Sequence, residues 1–185
     1  MSQHIRLSIC ILSLFDRLDH LHNLLSLLYK QPAKYTSLIE ILILSDNKVR
    51  AIGAKRNELL EMAKGEYIVF IDDDDDITEE YLDEIFKGIN MGVDAIGIMG
   101  IYAPVVGTHK PFKCGNDYLW EEKPDAYYRP IQHICPIKTS IARMVPYHLV
   151  NYGEDKVFAE EVKHLIKSDY VSNIPIYLYK YVKKN

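Results

Sequence analysis

The chain has 185 residues, 48% of them apolar and 26% charged, with a net charge of −4. That length suits one domain with a real core, and the composition excludes a disordered chain. The acidic balance argues against a protein that grips polyanions through a basic face, and the small cluster Lys180, Lys183 and Lys184 reads as a solvated tail.

The three cysteines, Cys10, Cys114 and Cys135, are odd in number and form no C-x-x-C, so neither a disulfide framework nor a zinc site is expected. Reduced thiols fit a cytoplasmic protein. No apolar run approaches the roughly 20 residues of a transmembrane helix, so any membrane association would be peripheral.

Leu7 to Leu14 is a continuous apolar run and predicts a strand covered on both faces. Leu18, Leu21, Leu24, Leu25 and Leu28 recur at helical spacing. Glu40 to Leu44 reads as a second buried strand, closed by Ser45-Asp46-Asn47. A helix is predicted over 54–63, with Gly65 placed to end it. Tyr67 to Ile71 is a third buried strand running into five consecutive aspartates, Asp72 to Asp76. A helix follows with Tyr81, Leu82, Ile85, Phe86 and Ile89 on one face. This alternation predicts an α/β fold, a three-layer α/β/α sandwich with a mostly parallel sheet. Ligands in such sheets bind beyond the carboxyl ends of the strands.

The second half is less regular. Asp94 to Ile101 is a strand candidate, residues 102–135 have loop composition, and 134–145 show no period. Residues 155–167 predict a helix, and Ile174 to Val182 a final strand.

The aspartate run carries the strongest chemical signal. Five adjacent carboxylates repel one another unless a positive charge shares the space. Mg²⁺ or Mn²⁺ with a diphosphate suits one or two carboxylates plus phosphate oxygens. Capping alone is the competing role, since Asp76-Ile-Thr-Glu79 has the form of a capping box, yet a cap uses one or two acids.

Gly53-Ala-Lys-Arg-Asn57, followed by Ala63-Lys-Gly-Glu-Tyr-Ile-Val-Phe-Ile-Asp-Asp-Asp-Asp75, resembles the core of glycosyltransferase family 2, which has the GT-A fold. Ser8 to Ser13 and Glu40 to Asp46 look like its first two strands, and Gly153-Glu-Asp155 resembles its E-D motif. The resemblance implies a metal-dependent, inverting transferase acting on a nucleotide-sugar donor, UDP-linked, and a hydroxyl acceptor. It implies that Asp46 reads the nucleobase, that Arg56 and Asn57 position the donor, and that Ser13, Phe15 and Asp16 line the nucleotide site. Asp72 and Asp74 give the best D-x-D register, Asp74 on Mn²⁺ or Mg²⁺ and Asp72 on metal or ribose. Asp73, assigned to the donor site, and Asp75 are the alternative register. Asp155 is implied as general base, with Glu154 as helper or rival. On this reading residues 1–185 are one glycosyltransferase domain, 1–100 holding the donor and 101–185 the acceptor and base.

Several assignments stay open. Trp120 and the Tyr127-Tyr128 pair suit an acceptor sugar or packing beneath a loop. His133 is an acceptor-side candidate, a metal helper as a late histidine is in related enzymes, or a surface or packed histidine. Arg143 and Lys138 either steady a diphosphate or are solvated charges, and Asp16 with Arg17 either touch the donor or are the charges of a helix start. Only six residues separate Asp46 from Gly53, fewer than the family carries, so a trimmed donor pocket is expected. The acceptor is expected to be a glycan or glycoconjugate, with nucleic acid ranked lower. A nucleotidyltransferase and a non-catalytic sugar-binding module are the competing functions. The first lacks its glycine-rich loop at Ser13 to Asp16, and the intact acids argue against the second.

Overall fold

The computed structural model describes residues 4–181; Val182, Lys183 and Lys184 lie outside the described residues. β1 (Leu7–Leu14) runs between β2 (Ile39–Asp46) and β3 (Tyr67–Asp72), parallel to both. Bonded on two sides and covered on both faces, β1 and β3 take apolar side chains at nearly every position, hence their unbroken runs. β2 is the edge strand, and Ile43 in its middle is exposed. The register pairs Leu12 with Asp72, Ser13 with Ser45 and Leu14 with Asp46. All three strands therefore end at one level, and Ser13, Asp46 and Asp72 emerge on one edge.

Successive strand side chains point to opposite faces. Phe70 faces the layer of α2 (Ile52–Met62), α4 (Thr139–Ala142) and α5 (Glu154–Val162). Arg56 lies 5.0 Å from its ring centre, Tyr147 meets it edge-on, and Tyr147 stacks on Phe158 at 4.2 Å. Tyr67 faces the other way, where its hydroxyl donates to the Val93 carbonyl just past α3 (Tyr81–Met91). Gln31 ties the end of α1 (Leu18–Tyr29) to α3 by donating to Thr78 O and accepting from the Leu82 N–H. The three layers match the expected sandwich. No helix among the described residues is long and apolar enough to cross a membrane.

Beyond β3 the sheet becomes mixed. β9 (Ile137–Lys138) pairs antiparallel with both β3 and β5 (Ala95–Pro104), so β5 runs with β1 and β3. β10 (Asp169–Tyr181) lies parallel to β5. On its other side β5 pairs with β6 (Lys110–Cys114), then come β8 (Tyr127–Arg129) and β7 (Glu121–Glu122).

Four local expectations give way. The 102–135 stretch, expected as loop, carries β6, β7 and β8; strands of two to five residues are too short to show a period, and their pairing is non-local. The capping box does not form, because β4 (Asp76–Ile77) joins β10 and α3 starts later at Tyr81; Thr78 Oγ1 accepts from the Glu80 N–H instead. Gly65 does not end α2, whose last residue is Met62. A Cβ at Gly65 would stand 2.5 Å from the Ser8 nitrogen, so close crossing over β1 explains that glycine. β10 begins earlier than expected, with a register break around Pro175, which has no N–H for the ladder.

Candidate active site

The aspartates alternate in burial through the turn that follows β3, closed by the Asp75 N–H donating to the Asp72 carbonyl at 3.1 Å. Asp73 and Asp75 turn inward and are buried, while Asp72, Asp74 and Asp76 are part-exposed. Ser13 Oγ donates to Asp73 Oδ2 at 2.7 Å. The Tyr177 hydroxyl donates to Asp75 Oδ2 at 2.7 Å, and the Lys180 N–H to Asp75 Oδ1 at 2.8 Å. Burial first, and the Asp72 charge second, push the Asp75 carboxyl up to about 8. Burial likewise raises Asp73. Arg17 bridges the two sets, with Nη2 2.9 Å from Asp73 and in contact with Asp74. Asp76 pairs with Lys180 at 2.6 Å and accepts from Asn23 at 2.7 Å.

Asp72, Asp73 and Asp74 line a cleft of about 1030 Å³ that also receives Ser13, Arg56, His133, Glu154 and Asp155. The structure thus gathers residues from β1, β3, α2, α5 and the segment before β9. Arg56 is buried, with Nη2 3.4 Å from Asp72 and Nε 3.5 Å from Glu154. Burial works against its charge, but Asp72 and then Tyr147, Glu154 and Asp155 outweigh it and raise its pKa. Burial also disfavours the Asp72 charge, yet His133 and Arg56 hold that carboxyl below its usual range. His133 stands between two acids, Nε2 3.5 Å from Asp72 and Nδ1 3.8 Å from Asp155. Asp155 and Glu154 open α5 directly after Gly153, whose φ of 79° suits glycine. Carboxylates there face the positive end of the helix.

Other candidates sit apart from the cleft. Asp46 is buried and engaged: Lys55 Nζ donates at 3.0 Å, and the Lys48 and Arg50 N–H groups at 3.1 and 3.2 Å. Burial opposes its charge, but Lys55 and those N–H groups hold it below the usual range. Asn57 pins the Tyr147 backbone in both directions at 2.8 Å. Phe15 and Asp16 are exposed beside the mouth, Asp16 facing Lys48 at 3.4 Å. Arg143 and Lys138 are taken up elsewhere: Arg143 donates to the Leu60, Glu61 and Ala63 carbonyls at the end of α2, and Lys138 pairs with Asp94 at 2.9 Å.

The wall contributed by the second half is aromatic. Trp120, Tyr127, Tyr102 and Tyr179 line it. Arg129 lies 5.3 Å over both Trp120 and Tyr127, and Tyr102 stacks on Tyr179 at 5.8 Å. Sequence reasoning missed Lys55, which lies beside Arg56 in the quoted motif, and Tyr177 with Tyr179. The signal for the tyrosines was their two-residue spacing at the end of a strand parallel to β5, which puts both on one face of β10, Tyr177 on Asp75 and Tyr179 beside the same acids at the cleft.

Among the described residues no group of three or more His, Cys, Asp or Glu side chains could hold a metal ion by itself. A divalent cation that shares a diphosphate needs fewer protein oxygens, and Asp72 with Asp74 supplies a hard carboxylate pair facing the cleft. The residues present fit such an ion.

Residues 34–147, more than half of the chain, match the sequence model of Glycosyl transferase family 2. The fold is similar to S. aureus TarS 1–349 in complex with UDP-GlcNAc, with 17% identity, a TM-score of 0.70, and coverage of 98% of this chain and 60% of that one. The same fragment with UDP gives 18% identity, a TM-score of 0.70, and 96% and 61% coverage. The mannosyltransferase PcManGT from Pyrobaculum calidifontis, in complex with GDP-Man and Mn²⁺, gives 11% identity, a TM-score of 0.63, and 98% and 59% coverage. At these identities the likeness is one of fold, and the chain spans about 60% of the length of these structures. No curated protein matches it. With its strand-end acids, its three-layer sheet and a family match across the middle of the sequence, this chain belongs to glycosyl transferase family 2, as a glycosyltransferase domain of GT-A fold.

Proposed function

We propose that the domain moves a sugar from a nucleoside diphosphate donor, UDP-linked, to a hydroxyl of a glycan or glycoconjugate, with inversion at the anomeric carbon. The observation that carries this reading is the shared cleft: Asp72 ends β3, Asp74 follows in the turn, and both face the same space as Asp155, with His133 between Asp72 and Asp155. The similar folds hold UDP-GlcNAc, UDP and GDP-Man, all nucleoside diphosphates, which supports the donor class.

Residues 1–100 serve the donor. Ser13, Asp72, Asp73 and Arg56 border it directly, with Phe15 and Asp16 at the mouth. Asp46 contributes by fixing the turn that presents Lys48 and Arg50, and Asn57 by fixing Tyr147. Mn²⁺ or Mg²⁺ held by Asp74 and Asp72 would neutralise the charge that grows on the diphosphate as the glycosidic bond breaks. Residues 101–185 serve the acceptor, whose ring lies against the aromatic wall around Trp120. Asp155 takes the proton from the attacking hydroxyl, on the side opposite the leaving group. Glu154 is buried against Arg56 and steadies that guanidinium.

Asp155→Asn should leave Mn²⁺-dependent UDP binding intact and lower turnover by about two to four decades, the span of a lost general base. UDP release from UDP-hexoses and UDP-N-acetylhexosamines, with NMR of the first-formed product, checks both halves. Full activity in that variant, or a product with retained anomeric configuration, would contradict the mechanism.

A further inference from the structure

His133 stands between the donor side and the base. It is 8% exposed, and neither ring nitrogen has a hydrogen-bond partner. Burying an imidazole with both nitrogens unpaired is unfavourable, so packing alone does not explain a histidine here. The groups facing those nitrogens are carboxylates on opposite sides of the reaction: Asp72 Oδ2 at 3.5 Å from Nε2 and Asp155 Oδ2 at 3.8 Å from Nδ1. Both contacts stand at the edge of hydrogen-bond range, and a ring that carries an N–H on each nitrogen can donate to both carboxylates.

The two partners differ in how firmly they are held. The His133 backbone is fixed, since its carbonyl accepts from the Phe70 N–H in β3 at 3.0 Å, and Ile134 and Cys135 beside it are buried. Asp155 stands on the first turn of α5 behind the exposed 148–153 segment and is part-exposed. The backbone-anchored His133 can therefore act on Asp155 through Oδ2, the oxygen left after Oδ1 accepts from the Lys156 N–H at 2.8 Å.

We infer that His133 is the positioning residue for Asp155, orienting the base carboxylate from an anchor on Asp72 so that the direction of proton abstraction is set by the end of the donor strand. The inference rests on the transferase reading above. A role as a metal ligand through Nε2 is the rival, and the two differ in what they disturb: aiming acts on turnover, ligation on nucleotide binding.

The test uses the full chain, UDP release from UDP-hexoses and UDP-N-acetylhexosamines, and calorimetry of UDP with Mn²⁺. His133→Ala should lower kcat on the order of 100-fold, as a misplaced catalytic group does, with donor KM and UDP binding unchanged. His133→Asn, whose amide nitrogen replaces Nδ1, should recover most of the loss, and His133→Gln, which replaces Nε2, should not. Adding His133→Ala to Asp155→Asn should cost almost nothing further, because the ring acts through the carboxylate. Loss of Mn²⁺-dependent UDP binding, an additive loss in the double variant, or wild-type turnover in His133→Ala would each overturn the role. If His133→Ala does not fold, equal activities of His133→Asn and His133→Gln overturn it. Full activity of Asp155→Asn would instead overturn the base assignment, and the positioning role with it.

Discussion

Asp72, Asp73, Asp74 and Asp75 are the same residue type in four environments. Asp73 and Asp75 are buried against Ser13, Arg17 and Tyr177, while Asp72, Asp73 and Asp74 line the cleft. Asp75, which does not line the cleft, is structural on this account, which gives a prediction. Tyr177→Phe removes a donor from a buried carboxyl and should cost about 1–3 kcal/mol. For a chain of this size each kcal/mol lowers Tm by about 2–4 °C, so a thermal melt reads it. Mn²⁺-dependent UDP binding should survive. Lost binding with an unchanged melt would place Asp75 among the ligand-holding residues. The run itself was legible as a charge problem, since five adjacent acids need a cation. Its division was not, because the inward partners Ser13 and Tyr177 lie 60 and 102 residues away in sequence.

Among the elements, α2 is the least legible and the most informative. Its buried face carries Lys55 and Arg56 beside Leu59 and Leu60, so no clean apolar stripe marks it. Those cations are tolerable because Asp46, Asp72 and Glu154 meet them. The helix is also pressed against the 148–150 segment: a Cβ on Gly53 would fall 1.8 Å from the His148 carbonyl oxygen. Gly53→Ala should force that segment away and cost about 1–3 kcal/mol, with donor affinity falling as Arg56 shifts. A melt and UDP titration matching wild type would contradict the close packing. Asp94 joins three elements at the other end of the sheet, bonding Lys138 in β9 and the Lys167 N–H after α5. The Lys138 hydrogen bond holds its carboxyl below the ordinary 3.8. A depressed folded-state pKa contributes stability that is complete above the unfolded value and lost as pH falls through the folded one. Urea titrations at neutral pH and near pH 3 should show a smaller acid loss in Asp94→Asn than in wild type. An equal loss in both would remove Asp94 from the acid response.

For the whole molecule, the parallel half of the sheet was readable because β1, β2 and β3 are long, apolar and separated by helices, and register alone brings Ser13, Asp46 and Asp72 to one edge. The half holding β6, β7 and β8 was not, since its strands are short and pair across long separations. That unread half supplies the aromatic wall and His133, so the donor side could be anticipated in more detail than the acceptor side. The central claim is that the strand-end acids hold a nucleoside diphosphate together with a divalent cation. Titration calorimetry of UDP against wild type and Asp74→Asn, each with and without Mn²⁺, tests it most directly. The account predicts binding by wild type only when Mn²⁺ is present, and none by Asp74→Asn. Equal UDP affinity with and without the metal, or an Asp74→Asn variant that binds like wild type, would contradict it.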